Sequence, residues 1–359
     1  MKGLITAGGR GTRMRPLTFS TNKHFIPLAN KPLLHYAIEE MAGAGIKNIG
    51  INYNPGQLEE IESNLGKDNK WGVKFSFILQ DRSGGLAHII QVSQEFLGKG
   101  KFVMHLGDNI FHGGIKDLVG GFRKSRASAL LTVIEHSENS RLGVPYFSKK
   151  GELLRVVEKP KKPPHNLAVP GLYFFDDFIF GAFTGKDKIK PSARGELEIT
   201  ALYNWLLRKK KKVEIGKFKG VWRDPGKFDD WLGTNQFLLD SLVVNGNYSR
   251  FSKSVKIEGR VKIGKGCKLK NVLLRGPLVI GDRVVMEDSF IGPYSSVGNG
   301  VEIKGAKIQN SVLMEEVKIN TPSKPLDSCL VGRRTIIKGN QKACESLELF
   351  LGNDCLVNI

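Results

Sequence analysis

The stretch GGRGTRMRPLTFSTNKHFIP, Gly8 to Pro27, follows a short apolar run, Leu4 to Ala7, that reads as a strand. Gly8, Gly9 and Gly11 allow a tight turn and let backbone N–H groups approach a ligand closely. Arg13, Arg15 and Lys23 place three cations beside that turn. Bare amides with converging cations suit a polyphosphate. A glycine turn after a strand is also how any βα unit can open. The stretch is not a Walker A loop, because no Lys-Ser or Lys-Thr follows the glycines, and it is not a full G-x-G-x-x-G fingerprint.

Downstream the chain alternates. Pro32 to Ile46 reads as a helix, with Leu34, Ala37, Ile38 and Met41 at helical spacing. Ile49 to Tyr53 reads as a strand, Gln57 to Leu65 as a helix and Lys74 to Gln80 as a strand. A helix over Leu86 to Phe96 and a strand over Phe102 to Leu106 follow. Ser128 to Val133, Leu153 to Val157 and Ala168 to Phe175 read as further strands. This alternation predicts an α/β domain with a mostly parallel, Rossmann-like sheet. Ligands of such sheets sit at the carboxyl ends of the strands.

Unusual chemistry falls at those ends. Gln80 closes one strand, and its amide can pair with the edge of a base; Gly85 lets backbone approach the same base. Asp108 follows another strand in LGDNIF, and Asp224 stands in VWRDPG. Two such carboxylates suit one hard cation held together with phosphate oxygens. Each is also an ordinary turn former. Glu158-Lys159-Pro160 ends a strand, where a Glu can accept from hydroxyls and a Lys can bind phosphate; an exposed Glu-Lys pair before a proline turn reads the same way.

The spacing G-x-G-T-R-[LM]-x-P-L-T, then Lys and Pro, resembles the signature of the sugar-phosphate nucleotidyltransferases. So do Gln80 with G-L-A from Gly85, G-D-N at Asp108, E-K-P at Glu158, R-G-E-L-E-I-T from Arg194 and W-x-D-x-G at Asp224. The resemblance covers almost the whole chain and points to the long form of the thymidylyltransferase branch. It implies transfer of a nucleotidyl group from dTTP or UTP to a sugar 1-phosphate, glucose 1-phosphate foremost, giving dTDP-glucose and pyrophosphate. A UDP-glucose or UDP-aminosugar product is the alternative, and a non-catalytic regulatory or scaffolding subunit is one of another class.

The resemblance also assigns residues. Gly8, Gly9, Gly11 and Thr12 would hold the nucleotide phosphates, Arg13 the leaving pyrophosphate, and Lys23 the charge near the α-phosphate. Gln80 and Gly85 would meet a thymine or uracil. Gly143, Glu158, Lys159, Gly171, Tyr173 and Glu196 would surround the sugar phosphate. Asp108 and Asp224 would bind Mg2+. Departures from the family pattern are Thr6, Met14, His24, Ala201 and Pro225. The last removes a hydroxyl and biases Asp224 towards extended backbone.

Past Asp240 the texture changes. Residues 241–253 lack a strong period and read as a linker between a first domain over 1–240 and a second over 254–359. Val255, Val261 and Cys267 lie six apart, as do Leu278, Val284 and Phe290, with glycines between them. Six residues make one flat side of a triangular coil. The pattern resembles the hexapeptide repeats of an all-β, left-handed β-helix domain. All seven histidines lie at or before His165, so no general base for acyl transfer falls in that region. A structural role, with flat sides for a homo-oligomer, is expected.

Composition bounds the partners. The 359 residues carry a formal net charge of +20 with 40% hydrophobic residues. The cations are scattered and no nucleic-acid motif appears, so anionic small substrates are expected rather than specific nucleic acid. No apolar run reaches the ~18 residues of a membrane span. Cys267, Cys329, Cys344 and Cys355 form no C-x-x-C pair, so neither zinc nor a disulfide framework is indicated. Met1 to Ala7 is too short for a signal peptide, and a reduced, cytoplasmic protein is expected.

Overall fold

A computed structural model of the chain describes residues 1–9, 11–66, 70–242, 251–322, 324–339 and 349–358. The chain forms two compact units. The first joins Met1–Gly9 to Leu34–Arg223; the second joins Arg10–Leu33 to Asp224–Ile359. The expected linker falls largely outside the described residues.

Eight strands build the sheet of the first unit: β1 (Lys2–Thr6), β2 (Asn48–Tyr53), β3 (Lys74–Leu79), β4 (Phe102–Leu106), β5 (Ala129–Glu135), β6 (Leu167–Ala168), β7 (Leu172–Phe175) and β8 (Val213–Lys217). Their order is β6-β5-β7-β4-β1-β2-β3, with β8 added alongside β5. Strands β4, β1, β2 and β3 run parallel. Strand β7 inserts antiparallel between β4 and β5, and β8 pairs parallel with β5. The sheet is therefore mostly parallel, as expected. Leu4, Met104, Leu131, Tyr173 and Phe175 share one buried cluster with Leu202 and Trp205 of the helix Ile199–Arg208. Continuous apolar strands of this kind are what a sheet covered on both faces requires.

Several boundaries differ from the sequence reading. The helix over Leu86 to Phe96 is two, Leu86–Val92 and Gln94–Leu97. Ser93 divides them: its hydroxyl donates to Ile89 O at 2.7 Å, a back-bond that disturbs a helix ladder. The apolar run Ala168 to Phe175 is likewise broken at Pro170, which offers no N–H to a ladder. Leu153–Glu158 leaves the main sheet and pairs antiparallel with Gly143–Phe147.

In the second unit, parallel coils stack. Two sheets, one led by Val255–Glu258 and Lys268–Arg275 and the other by Val261–Ile263 and Leu278–Ile280, consist wholly of parallel pairs. Val255 pairs with Val272 and Val261 with Leu278, and side chains bonded between successive coils are 17 residues apart. That is close to three six-residue sides per coil, as the left-handed β-helix pattern requires. Corners recur in columns with positive φ: Gly266, Arg283 and Gly300 in one, Asn271, Asp288 and Gly305 in another. Asn, Asp and Gly adopt this left-handed conformation most readily.

Val261, Leu278 and Val284 point inwards, fully buried. Phe290 does not: the inward residue is Ile291, and Phe290 lies beneath Arg275, whose guanidinium is 5.7 Å from its ring. The corner at Asp288 shifts the six-residue phase by one position. Ion pairs such as Lys270–Glu287, 2.7 Å, and Arg275–Glu258, 2.8 Å, run along the outside. Exposed pairs of this kind contribute little each.

Candidate active site

Within the first unit, the glycine turn leaves β1 at the expected place. Ala7 N–H still donates to Asn52 O at 2.8 Å. A Cβ on Gly8 would come within 2.8 Å of Asn54 Oδ1, and Gly9, at φ 112°, accepts from Gln57 Nε2 at 3.3 Å. The backbone is thus anchored by side chains from the loop after β2.

Gln80 caps β3, its N–H donating to Tyr53 O at 2.8 Å. It is buried, and its amide Nε2 lies 3.3 Å from Gly85 O and 3.2 Å from His88 Nδ1. Burial, then the Arg82 charge, hold His88 below its ordinary value, against Asp81. A neutral ring can accept at Nδ1, so the amide orientation is determined by its surroundings. The Gln80 carbonyl oxygen is then directed away from Gly85 O and His88 Nδ1. Gly85 has φ 88°, and a Cβ there would meet Leu197 O at 2.7 Å and Glu196 Cβ at 3.0 Å. Leu197 is fastened to the same turn: its N–H donates to Gly84 O at 2.8 Å and its carbonyl accepts from Ala87 N at 3.0 Å. Two stretches separated by more than a hundred residues therefore meet at Gly85. The helix starts only at Ile199, which leaves Glu196 in the preceding loop.

A second cluster forms around Glu158. Strand register sets it opposite Gly143, and Lys159, at φ 47°, donates its N–H to Leu142 O at 3.0 Å. Lys159 Nζ lies 3.8 Å and Arg194 Nη2 3.7 Å from Glu158 Oε1; Arg194 also holds Glu198 at 2.8 Å. A Cβ on Gly143 would come within 2.9 Å of Thr200 Cγ2, so the glycine admits the helix start. Burial first, then the Glu198 charge, raise the Glu158 carboxyl above its ordinary value, against Lys159 and Arg194.

A raised carboxyl pKa means that the fold favours the protonated form. Its contribution to stability is fully present below the unfolded pKa and is lost as pH rises through the folded one. Glu158→Gln should therefore make the protein more stable at pH 7.5, with the gain shrinking as the pH falls towards about 4. Urea unfolding of both proteins at the two pH values checks this. A variant less stable than the parent at pH 7.5 contradicts it.

Asp108 stands two residues past β4, half-buried. Its Oδ1 accepts from Asn109 Nδ2 at 3.1 Å, and Asn109 Oδ1 accepts from Trp222 Nε1 at 2.9 Å. A Cβ on Gly171 would fall 2.4 Å from Asn109 Oδ1. Gly171 thereby makes room for the side chain that orients Asp108. Tyr173 sits in the apolar core of the sheet, paired between Met104 and Leu131.

In the second unit, Gly11 at φ 54° opens a run of one-turn 3-10 helices, Thr12–Met14, Leu17–Phe19 and Lys23–Phe25. A Cβ on Gly11 would meet Thr18 Cγ2 at 2.9 Å and Lys23 Cβ at 3.3 Å. Thr18 Oγ1 closes the turn on Gly11 O at 2.8 Å. Arg13 is exposed, while Lys23 is 7% exposed. A Cβ on Gly226, two residues after Asp224, would fall 3.0 Å from Arg13 Nη1, so Arg13 lies against the D-P-G turn. Among the described residues no three His, Cys, Asp or Glu side chains form a metal cage. A magnesium ion needs only one or two carboxylates when phosphate and water complete its shell. Half-buried acids such as Asp108 and Asp224 fit that mode. Asn109, Trp222 and Arg194 were not singled out in the sequence as site residues. Each nonetheless stood in a quoted motif: Asn109 in G-D-N, Trp222 in W-x-D-x-G and Arg194 at the head of R-G-E-L-E-I-T.

The nucleotidyl transferase family pattern matches residues 2–241, and the chain belongs to that family. Members generally use divalent metal ions. A glucose-1-phosphate thymidylyltransferase of Streptomyces antibioticus is 35% identical over 100% of this chain and 99% of its own. The low-salt glycan biosynthesis nucleotidyltransferase Agl11 of Haloferax volcanii is 36% identical over 92% of each. A solved UDP-glucose pyrophosphorylase complexed with UDP-glucose superposes with TM-score 0.57 at 25% identity, covering 67% of this chain and 98% of that one. Among the described residues no helix is long and apolar enough to cross a membrane.

Proposed function

We propose that this chain transfers a thymidylyl group from dTTP to glucose 1-phosphate, giving dTDP-glucose and pyrophosphate. The observation that supports it best is the meeting of Gln80, Gly85 and Glu196 at one turn. With its amide nitrogen directed to Gly85 and His88, Gln80 offers an acceptor to the ring N–H of a thymine or uracil. A purine of the wrong edge would leave that buried oxygen unpaired, which is costly.

A sugar 1-phosphate oxygen attacks the α-phosphorus in line, and the bond to the pyrophosphate oxygen breaks. No covalent residue is required, because the attacking oxygen is already anionic at neutral pH. The chain's work is positioning and charge neutralisation. Lys159 binds the sugar phosphate, and Glu158 and Glu196 accept from sugar hydroxyls. The amides at Gly8, Gly9, Gly11 and Thr12 hold the triphosphate, with Arg13 at the departing pyrophosphate and Lys23 at the α-phosphate. Asp108 and Asp224 would hold the divalent ion, Mg2+, which when bound offsets phosphate charge. The reading includes a cytoplasmic homo-oligomer.

Pyrophosphate release with dTTP, UTP, ATP and GTP against glucose 1-phosphate and glucosamine 1-phosphate tests the proposal. Turnover should favour the pyrimidine triphosphates and glucose 1-phosphate. A preference for a purine triphosphate contradicts it. UTP with glucose 1-phosphate is the second reading, supported by the likeness to the UDP-glucose complex.

A further inference from the structure

Residues 11–33 carry Arg13 and Lys23 but contain no element that could hold its own shape. They comprise one-turn 3-10 helices and two-residue strands at Pro27–Leu28 and Lys31–Pro32. Such pieces are marginal by themselves. Yet Thr21, Asn22 and Lys23 are buried. Their order has to be imposed by neighbours.

Those neighbours are the helix Phe228–Leu242 and the β-helix. Trp231, fully buried, donates Nε1–H to Pro27 O at 3.1 Å. Asn235, also fully buried, accepts from Ala29 N at 2.8 Å and from Ser296 Oγ at 2.8 Å, and donates to Tyr294 O at 3.1 Å. One amide thus joins the segment, the helix and a β-helix corner. Asn30 Nδ2 donates to Val297 O at 2.6 Å.

The final coil adds the tie nearest to Lys23. Asn353 Nδ2 donates to Thr21 Oγ1 at 2.7 Å, while Asn353 Oδ1 accepts from Arg333 N at 2.9 Å. Both ends of the amide are engaged, so its orientation is fixed by the coil below. Gly352 packs beside it, where a Cβ would lie 3.4 Å from Pro16 O. Phe350 stacks on Phe228 with ring centroids 4.4 Å apart.

We propose that the β-helix is an intramolecular scaffold for the cationic segment 11–33, and that Asn353 is a positioning residue for triphosphate binding. The inference rests on the function proposed above for its kinetic part only. Loss of one neutral hydrogen bond of this kind changes an affinity by about five- to tenfold.

The test uses the full-length protein with Asn353→Ala, Thr21→Val and Asn353→Asp. In Asn353→Ala the KM for dTTP should rise about five- to tenfold while the KM for glucose 1-phosphate stays within about twofold. Tryptic cleavage after Arg13 or Lys23 should be faster. Thr21→Val should do the same, and the double variant should be no worse than either single one. Asn353→Asp should restore both readouts, because the Thr21 hydroxyl can donate to a carboxylate and Arg333 N–H keeps its acceptor. Unchanged KM and unchanged cleavage in both single variants overturn the proposal, as does an equal rise in KM for both substrates. If the unaltered protein turns over neither substrate, the functional reading fails, and the cleavage rates still decide the scaffold.

Discussion

Asp108→Asn is expected to lower turnover by about a hundred- to a thousandfold and to leave the fold intact. The substitution keeps the volume, and an Asn oxygen can still accept from Asn109 Nδ2. The negative charge disappears, and one acceptor oxygen becomes an N–H donor. Metal stabilisation of a developing phosphoryl charge is worth several kcal/mol, and each ~1.4 kcal/mol is a factor of ten. Asp224→Asn, which likewise keeps the side-chain volume, should behave alike. Pyrophosphate release at saturating magnesium, set beside thermal unfolding, separates charge from folding. Wild-type rates in both variants would remove the two acids from the reaction.

Arg13→Ala and Lys159→Ala are expected to separate the two substrates. Arg13 belongs to the segment that follows the glycine turn; Lys159 is held at Leu142 and Glu158. Loss of a hydrogen bond to a charged group costs ~2–3 kcal/mol, or roughly a hundredfold in affinity. Arg13→Ala should weaken the triphosphate by about that factor and the sugar phosphate little, and Lys159→Ala the reverse. Titration of each ligand against each variant measures this, and equal losses for both ligands would contradict the division of roles.

The candidate site could be proposed from the chain because its motifs are local. A glycine turn after β1, a Gln closing β3 and an Asp after β4 stand where parallel strands end, and the family's motif spacing, more than any one residue, marks them. What stayed hidden depends on distant partners. Nothing near Asn109 announces that Trp222 will hold it, or that Gly171 must lack a Cβ to admit it. Tyr173 alternates like any strand residue and is packed in the core. The six-residue phase of the β-helix slips between Cys267 and Leu278 and again at Phe290, because the corners at Asn271 and Asp288 each shift it by one position. The attachment of residues 11–33 to the β-helix has no periodic signature at all, since it is made by isolated asparagines.

The bond between Thr21 and Asn353 spans 332 positions of the chain. A ribosome adding about ten residues per second needs roughly half a minute to travel that distance. During that interval the nascent first strands can pair, but the cationic segment has no final tether. A chain cut before Asn353 would keep every strand of the first sheet and lose this tie to Thr21. On the scaffold proposed above, a residue made late in synthesis thus orders a segment made about half a minute earlier.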